Sequence, residues 1–391
     1  MVAAALVRPG RVVGLDVARC IALIGMISTH ALVTSTPDGG TTVVQSIAGG
    51  RSAALFAVLA GVSLSLMSGR RTPLRGRAWW AAAAGLAVRA LVIAFIGLIL
   101  GALDTTIAII LTYYGVLFAL GIPFTLLGAR ALAALAVGWC ALAPVVSHLL
   151  RPDLPRPTLA SPTFDHLVFP VELVSELTFS GYYPAWSWLT YLLAGMAIGR
   201  LDLRRPTTAA WVLVVGVVTA VLAKAASAYL VDQPGVRSTL ARTLTGSRPE
   251  GGLENTLEHG LFGTTPTGSW WWLATSAPHT ATPFDLAHTT GTALALIGLC
   301  LLVTRFVPAV WAVVFGAGAM TLTLYSLHVV LRTPTFWPDD DVPTFTLHVV
   351  VVLVIGALFR LADRSGPLER VTADMSRAAR LAVAGAEPAR R

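Results

Sequence analysis

The chain has 391 residues, 55% of them hydrophobic and only 12% charged, with a mean hydropathy of +0.73. Soluble domains run near 25% charged, so the composition excludes a soluble globular domain and indicates a polytopic membrane protein. The net charge of +8 is carried by arginines that fall between apolar runs, Lys224 being the one lysine; that is a topology signal, not a nucleic-acid footprint.

Windows long enough to cross a bilayer predict an all-α bundle of about ten helices. They fall at 12–34, 46–68, 86–103, 105–127, 130–150, 183–200, 208–231, 284–304, 308–332 and 342–361. The first carries three polar residues. Asp16 and Arg19 lie near one end and His30 near the other, about 21 Å apart at ~1.5 Å per residue. Arg19, Met26 and His30 fall on one stripe, since Arg19 and His30 differ by roughly 20° around the helix. A polar stripe on a membrane helix faces protein or a water-filled cavity. Asp16 and Arg19 read equally as an interfacial i, i+3 pair, and His30 as a hydrogen-bonded helix-end histidine.

Between the second and third helices stand Arg70, Arg71, Arg75 and Arg77, with Arg89 inside the third. Retention of cytoplasmic loops explains them, and binding the phosphates of a cytosolic nucleotide cofactor is the sharper alternative. Placing the N-terminus in the cytoplasm puts Arg130, Arg200, Arg204, Arg205 and Arg305 on the same inner side, and both termini inside. All eight histidines then fall in outer loops or outer helix portions. Cys20, Cys140 and Cys300 lie within apolar runs at different depths, which favours buried thiols over a disulfide. The first apolar run is too long for a cleavable signal.

Two long outer loops are expected, at 151–182 and 232–283. The second contains Trp270, Trp271 and Trp272, an interfacial belt first of all and a sugar-stacking platform second. In the next helix, Asp285 and His288 are i, i+3, followed by Thr289 and Thr292. A carboxylate beside an imidazole can orient it for base chemistry, or Asp285 simply caps the helix. Thr321, Tyr325, His328 and Arg332 form a polar stripe on the ninth helix, which interhelical hydrogen bonding would also explain. A membrane domain over 1–363 is followed by an Arg-rich tail, 364–391. Its residues Leu368, Val371, Met375, Ala378 and Ala382 share one face, as in an amphipathic helix on the inner leaflet. No Walker loop, dinucleotide fingerprint, HExxH or CxxC pattern is present.

Several segments carry a family resemblance. GLDVARCIALIGMISTH and GGRSAALFAVLAGVSLSL resemble the first two helices of the heparan-alpha-glucosaminide N-acetyltransferase-like membrane acyltransferases. WLTYLLAGMAIGRLDL, TPFDLAHTTGTALALIGLCLL and GAMTLTLYSLHVV resemble later signature segments. The resemblance implies a CoA-dependent transmembrane acyltransferase of the cell membrane. Acyl-CoA, often acetyl-CoA, would donate from the cytosol, and the acyl group would pass to a hydroxyl or amine of an outer sugar or glycolipid of the cell envelope.

Carried over residue by residue, Arg19, Arg70, Arg71, Arg75 and Arg77 become candidates for the CoA end and His30 for the transfer. Asp285 with His288, or His328, are the alternatives for the transfer from the residues' own pattern, and Arg51, Tyr325 and Trp271 are the candidates for the acceptor. Animal members carry the catalytic histidine just beyond the first span, whereas residues 31–50 here contain none. A covalent acyl-histidine and direct transfer with His30 as base are both allowed. No metal and no nucleic acid is expected, the bilayer is the obligatory partner, and a homodimer is compatible with the pattern. The competing reading is a transporter or flippase for a lipid-linked sugar or small polar molecule, which would also need polar helix faces around a cavity.

Overall fold

A computed structural model describes residues 10–36, 40–244 and 252–385. Among them the chain is helical, without strands, and one isolated bridge joins Ser35 to Thr41. Among the described residues, seven helices are long and apolar enough to cross a membrane, and shorter apolar helices accompany them. In chain order these include α1 (Val13–Ala31), α2 (Arg51–Met67), α3 (Gly76–Gly101), α4 (Leu111–Gly121), α5 (Ala129–Leu150) and α6 (Ala185–Gly199). They continue with α7 (Pro206–Val231), α8 (Pro283–Val303), α9 (Thr321–Leu331), α10 (Val342–Leu361) and α11 (Pro367–Ala384).

α1 sits at the centre. It packs against α2, α8, α9 and α10, and Ala18, Cys20, Leu23 and Ile27 on it are fully buried. The tightest pairings are α7 with α8 and α2 with α6. Small residues make the second possible. A Cβ on Gly195 would collide with the Val58 carbonyl, and one on Gly61 with the Leu192 carbonyl. Such close backbone approach is how membrane helices gain van der Waals contact where burial of apolar surface gives little drive.

Four predicted helices are corrected. The second is interrupted: Val43–Ala48 forms one short helix and α2 begins at Arg51, because Gly50 takes φ 71° between them. α3 begins at Gly76 rather than 86, extended by the helix-forming run AWWAAAA, so Arg77 lies within its first turn instead of in a loop. The fourth starts only at Leu111, because residues 107–109 are held by a side chain from another segment. The Ile109 amide donates to Ser161 Oγ (3.0 Å) and Ser161 Oγ donates to the Ile107 carbonyl (3.2 Å). The run 308–332 is not one helix. Pro308–Val314 ends in a 3-10 turn over Gly316–Ala319, and α9 starts afresh at Thr321. Gly318 there sits so close to the Asp16 carbonyl that a Cβ would clash.

The new start of α9 has its own cap. Glu369 of α11 accepts from the amides of Leu322 (2.7 Å) and Thr323 (3.1 Å) and from the Thr323 hydroxyl (2.5 Å). α11 docks on α3 through buried Thr372 and through Ser376, whose hydroxyl donates to the Gly85 carbonyl (2.7 Å). Val371, Met375, Ala378 and Ala382 of the predicted apolar face remain exposed on its other side, while Leu368 is half-buried.

One end of the bundle gathers the arginine-bearing turns. Buried Arg200 ties them together, donating to the carbonyls of Ser65, Ser68, Arg70, Thr125 and Leu127. The opposite end carries His30, Arg51, Arg332 and the two long loops. Buried Trp272 anchors the second loop, donating from its indole to Thr243 Oγ1 (3.0 Å). Glu176 holds the first by accepting from the Thr158 and Leu159 amides.

Candidate active site

Two cavities meet the face of α1 on which Arg19, Met26 and His30 are aligned. The first lies toward the arginine end and has a volume of about 140 Å³. Arg19 and Arg89 stand at its polar part, Met26, Phe56, Ile93 and Phe118 in its apolar part, and Tyr114 and Tyr325 also line it. Arg19 is placed by a network: Asp16 accepts from Arg19 Nη1 (3.0 Å) and from Arg11 Nε (2.5 Å), and Arg19 Nη2 donates to Ser63 Oγ (2.9 Å). The interfacial ion pair and the cavity-facing arginine are thus the same group. Arg89 differs, since its Nε is buried without a hydrogen-bond partner among the described residues.

The second cavity, about 270 Å³, lies at the histidine end and is lined by Thr29, His30, Thr34, Thr106 and Asp340, among others. Met26 and His30, on the two cavities, are one helical turn apart, about 6 Å of rise.

His30 does not stand alone. Its Nδ1 is 3.2 Å from His328 Nε2, with the two ring planes within 9° of parallel and their centroids 5.4 Å apart. His328 Nδ1 is 2.9 Å from His348 Nδ1. His328 is fully buried and His348 nearly so. Three imidazoles from α1, α9 and α10 therefore stand in series, ending at the half-buried His30 ring on the cavity. Arg332 follows His328 by four residues, at the end of α9. Buried itself, it donates to the carbonyls of Trp337 and Asp339 and pairs with Asp340 at 2.5 Å. Among the described residues no group of three His, Cys, Asp or Glu side chains is placed to hold a metal ion.

The structure brings His30 and His328 together, as two of the predicted transfer residues, and adds His348. The sequence held a signal for His348. It follows the turn after α9 by a few residues while His328 precedes it by a few, so both lie within about 10 Å of that turn along antiparallel neighbours.

Asp285 and His288 are elsewhere, and they do not bond to each other. Asp285 accepts from the amides of Thr280 (3.2 Å) and Ala281 (3.0 Å), and its own amide donates to Thr282 Oγ1. It organises the entry to α8 rather than orienting an imidazole. His288 Nδ1 is 3.0 Å from the Ala220 carbonyl. A carbonyl only accepts, so Nδ1 carries the hydrogen and Nε2 offers its lone pair to Arg51, 3.3 Å away. Both His288 nitrogens are thus occupied. Thr289 and Thr292 bond back to carbonyls of their own helix. Asp285, His288 and Thr289, with Arg51, Lys224 and Glu258, line a separate polar cavity of about 210 Å³.

The remaining predicted residues are dispersed. Arg71 pairs loosely with Asp202 (3.7 Å), Arg77 Nε donates to the Val383 carbonyl (3.3 Å), and Arg75 precedes α3. None of Arg70, Arg71, Arg75 and Arg77 lines the cavity that holds Arg19. The three tryptophans have three different settings. Trp270 lies over the His148 ring (4.5 Å), Trp272 is buried, and Trp271 is exposed and lines none of the three cavities.

Residues 11–234 match the family model described as heparan-alpha-glucosaminide N-acetyltransferase, catalytic. The match spans α1 to α7, with Arg19 and His30, and ends before the helices of His328 and His348. No curated protein matches the chain.

Proposed function

We propose, from the premise that the chain belongs to the heparan-alpha-glucosaminide N-acetyltransferase catalytic family, that it moves an acyl group across the membrane. The donor is acyl-CoA, acetyl-CoA in the simplest case, presented from the cytoplasm at the arginine end. The acceptor is a hydroxyl or amine of a glycan or glycolipid at the opposite, extracytoplasmic side. Both termini are then cytoplasmic.

One observation carries this reading: two cavities are separated by a single turn of α1, between Met26 and His30. A cationic and apolar chamber suits the anionic, thioester-bearing donor. The hydroxyl- and carboxylate-lined chamber beyond suits a sugar. His30 at the boundary takes the acceptor proton through Nε2 while the acyl carbon passes from sulfur to oxygen or nitrogen. His328 acts through His30. Arg19 and Arg89 hold the donor, with the arginines at 70–77 around the entrance, and Tyr325 lines the chamber between. The Arg51 and His288 cleft, with Trp271 on the loop nearby, takes further parts of a large acceptor.

The test uses the purified protein in liposomes, with radiolabelled acetyl-CoA supplied on one side and amino sugars or oligosaccharides enclosed on the other. Label should appear on the enclosed acceptor, and His30→Ala should cut that transfer by about 10²-fold or more. Absence of acyl-CoA binding, together with acceptor flux across the liposome, refutes the enzyme reading in favour of a carrier. Transfer that survives His30→Ala keeps the class and removes the site.

A further inference from the structure

A histidine–histidine contact holds one proton, because one nitrogen donates and the other accepts. A neutral His328 has one N–H. It therefore donates across one of its two contacts and accepts across the other, and both contacts run in the same sense along the series. In one arrangement His30 Nδ1 donates to His328, His328 Nδ1 donates to His348, and His30 Nε2 presents a lone pair. In the other, every proton has shifted by one ring, and His30 Nε2 carries a hydrogen. The far terminus is His348 Nε2, buried without a hydrogen-bond partner among the described residues. An orphaned buried nitrogen in a native core calls for a reason, and a ring kept there for its other nitrogen, which takes up and returns a proton from His328, supplies one.

We infer that His328 and His348 form a proton relay behind His30. This rests on acyl transfer at His30 and adds His348 as a positioning residue that acts through it. As the acceptor oxygen bonds to the acyl carbon and the thioester C–S bond breaks, the hydroxyl proton enters at His30 Nε2. The His30 Nδ1 proton moves to His328 Nε2 and the His328 Nδ1 proton to His348 Nδ1. The reverse shift returns a proton from His30 Nε2 to the CoA thiolate, so the cycle neither gains nor loses one.

The charge does not stay at the far ring. His348 is buried, and its Nε2 has no hydrogen-bond partner among the described residues, so an imidazolium there is an uncompensated buried charge and the proton returns along the series. Distances of 3.2 and 2.9 Å are short enough for direct transfer without intervening water.

The experiment is single-turnover acyl transfer in mixtures of H₂O and D₂O, with wild type, His348→Gln and His348→Phe in liposomes. Glutamine keeps a hydrogen bond to His328 but cannot pass a proton through its side chain. Wild type should give a rate that curves with deuterium fraction, from more than one proton in flight. Both variants should be slowed about 10- to 100-fold, with a straight dependence and unchanged KM for acyl-CoA. A wild-type rate and curvature in His348→Gln overturn the relay and leave a packing role. A straight dependence in wild type overturns it without any variant, should those fail to fold. Failure of wild type to transfer acyl groups at all overturns the acyltransferase reading itself.

Discussion

Glu369→Ala separates α9 from its cap without touching either cavity. The carboxylate accepts three hydrogen bonds, two of them from the first amides of the helix that carries Tyr325 and His328. Losing an N-cap acceptor costs about 1–2 kcal/mol. The negative charge at a helix N-terminus adds about 0.5–1 kcal/mol. The two together are about 1.5–3 kcal/mol, and because the site is half-buried water replaces part of the lost bonding, leaving about 1–2 kcal/mol. At roughly 2 °C per kcal/mol for a chain longer than 250 residues, the melting temperature in detergent should fall by about 2–4 °C. Glu369→Gln keeps an acceptor oxygen and loses the charge, so it should fall by about half as much. Acyl transfer should drop in parallel, because α9 holds His328 against His30. A melting temperature within about 1 °C of wild type in Glu369→Ala would show that α9 is fixed by its packing alone and that the docked tail contributes nothing to it.

Arg89→Leu removes the guanidinium whose Nε lacks a partner in the first cavity. One charge-assisted bond to the donor, about 1.5–3 kcal/mol, predicts a rise in KM for acyl-CoA of roughly 10- to 100-fold with kcat little changed; an unaltered KM in steady-state assays removes Arg89 from the donor site. Trp272→Ala empties the buried anchor of the 232–283 loop and should cost about 3–5 kcal/mol. Limited proteolysis should then cut that loop while leaving α1 to α6 intact, and a protease-resistant variant contradicts the anchoring role. Asp341 caps α10 through the Thr344 amide (2.7 Å), and the Thr344 amide and hydroxyl hold its carboxylate below the usual range. Its stabilisation is therefore present above the unfolded carboxylate pKa of about 4 and is lost as pH falls through the lower folded value. The gap in melting temperature between wild type and Asp341→Ala should close on acidification, and a gap that stays constant down to pH 3 contradicts the cap.

The sequence by itself determined the class of fold, because hydropathy over a span length is a local property. It located α1, α5, α6, α7, α8 and α10 within a few residues. It also placed Arg19, Met26 and His30 on one stripe, since helical periodicity alone fixes which side chains share a face. Tertiary structure decided where helices stop. Gly316 and Gly318 admit the backbones of α10 and α1, and that close approach breaks the run 308–332 in a way no local propensity reports. It also decided which polar residues meet. Asp285 and His288 have the spacing of a dyad, yet the Thr280 and Ala281 amides take the carboxylate and Ala220 and Arg51 take the imidazole. His30 lies 298 residues before His328 in the chain, and the crossing of α1 with α9 and α10 makes it a neighbour of the His328–His348 pair. A side chain's own sequence neighbours fix its depth and its face, but the partner that completes its hydrogen bonds is supplied by whichever helix packs there.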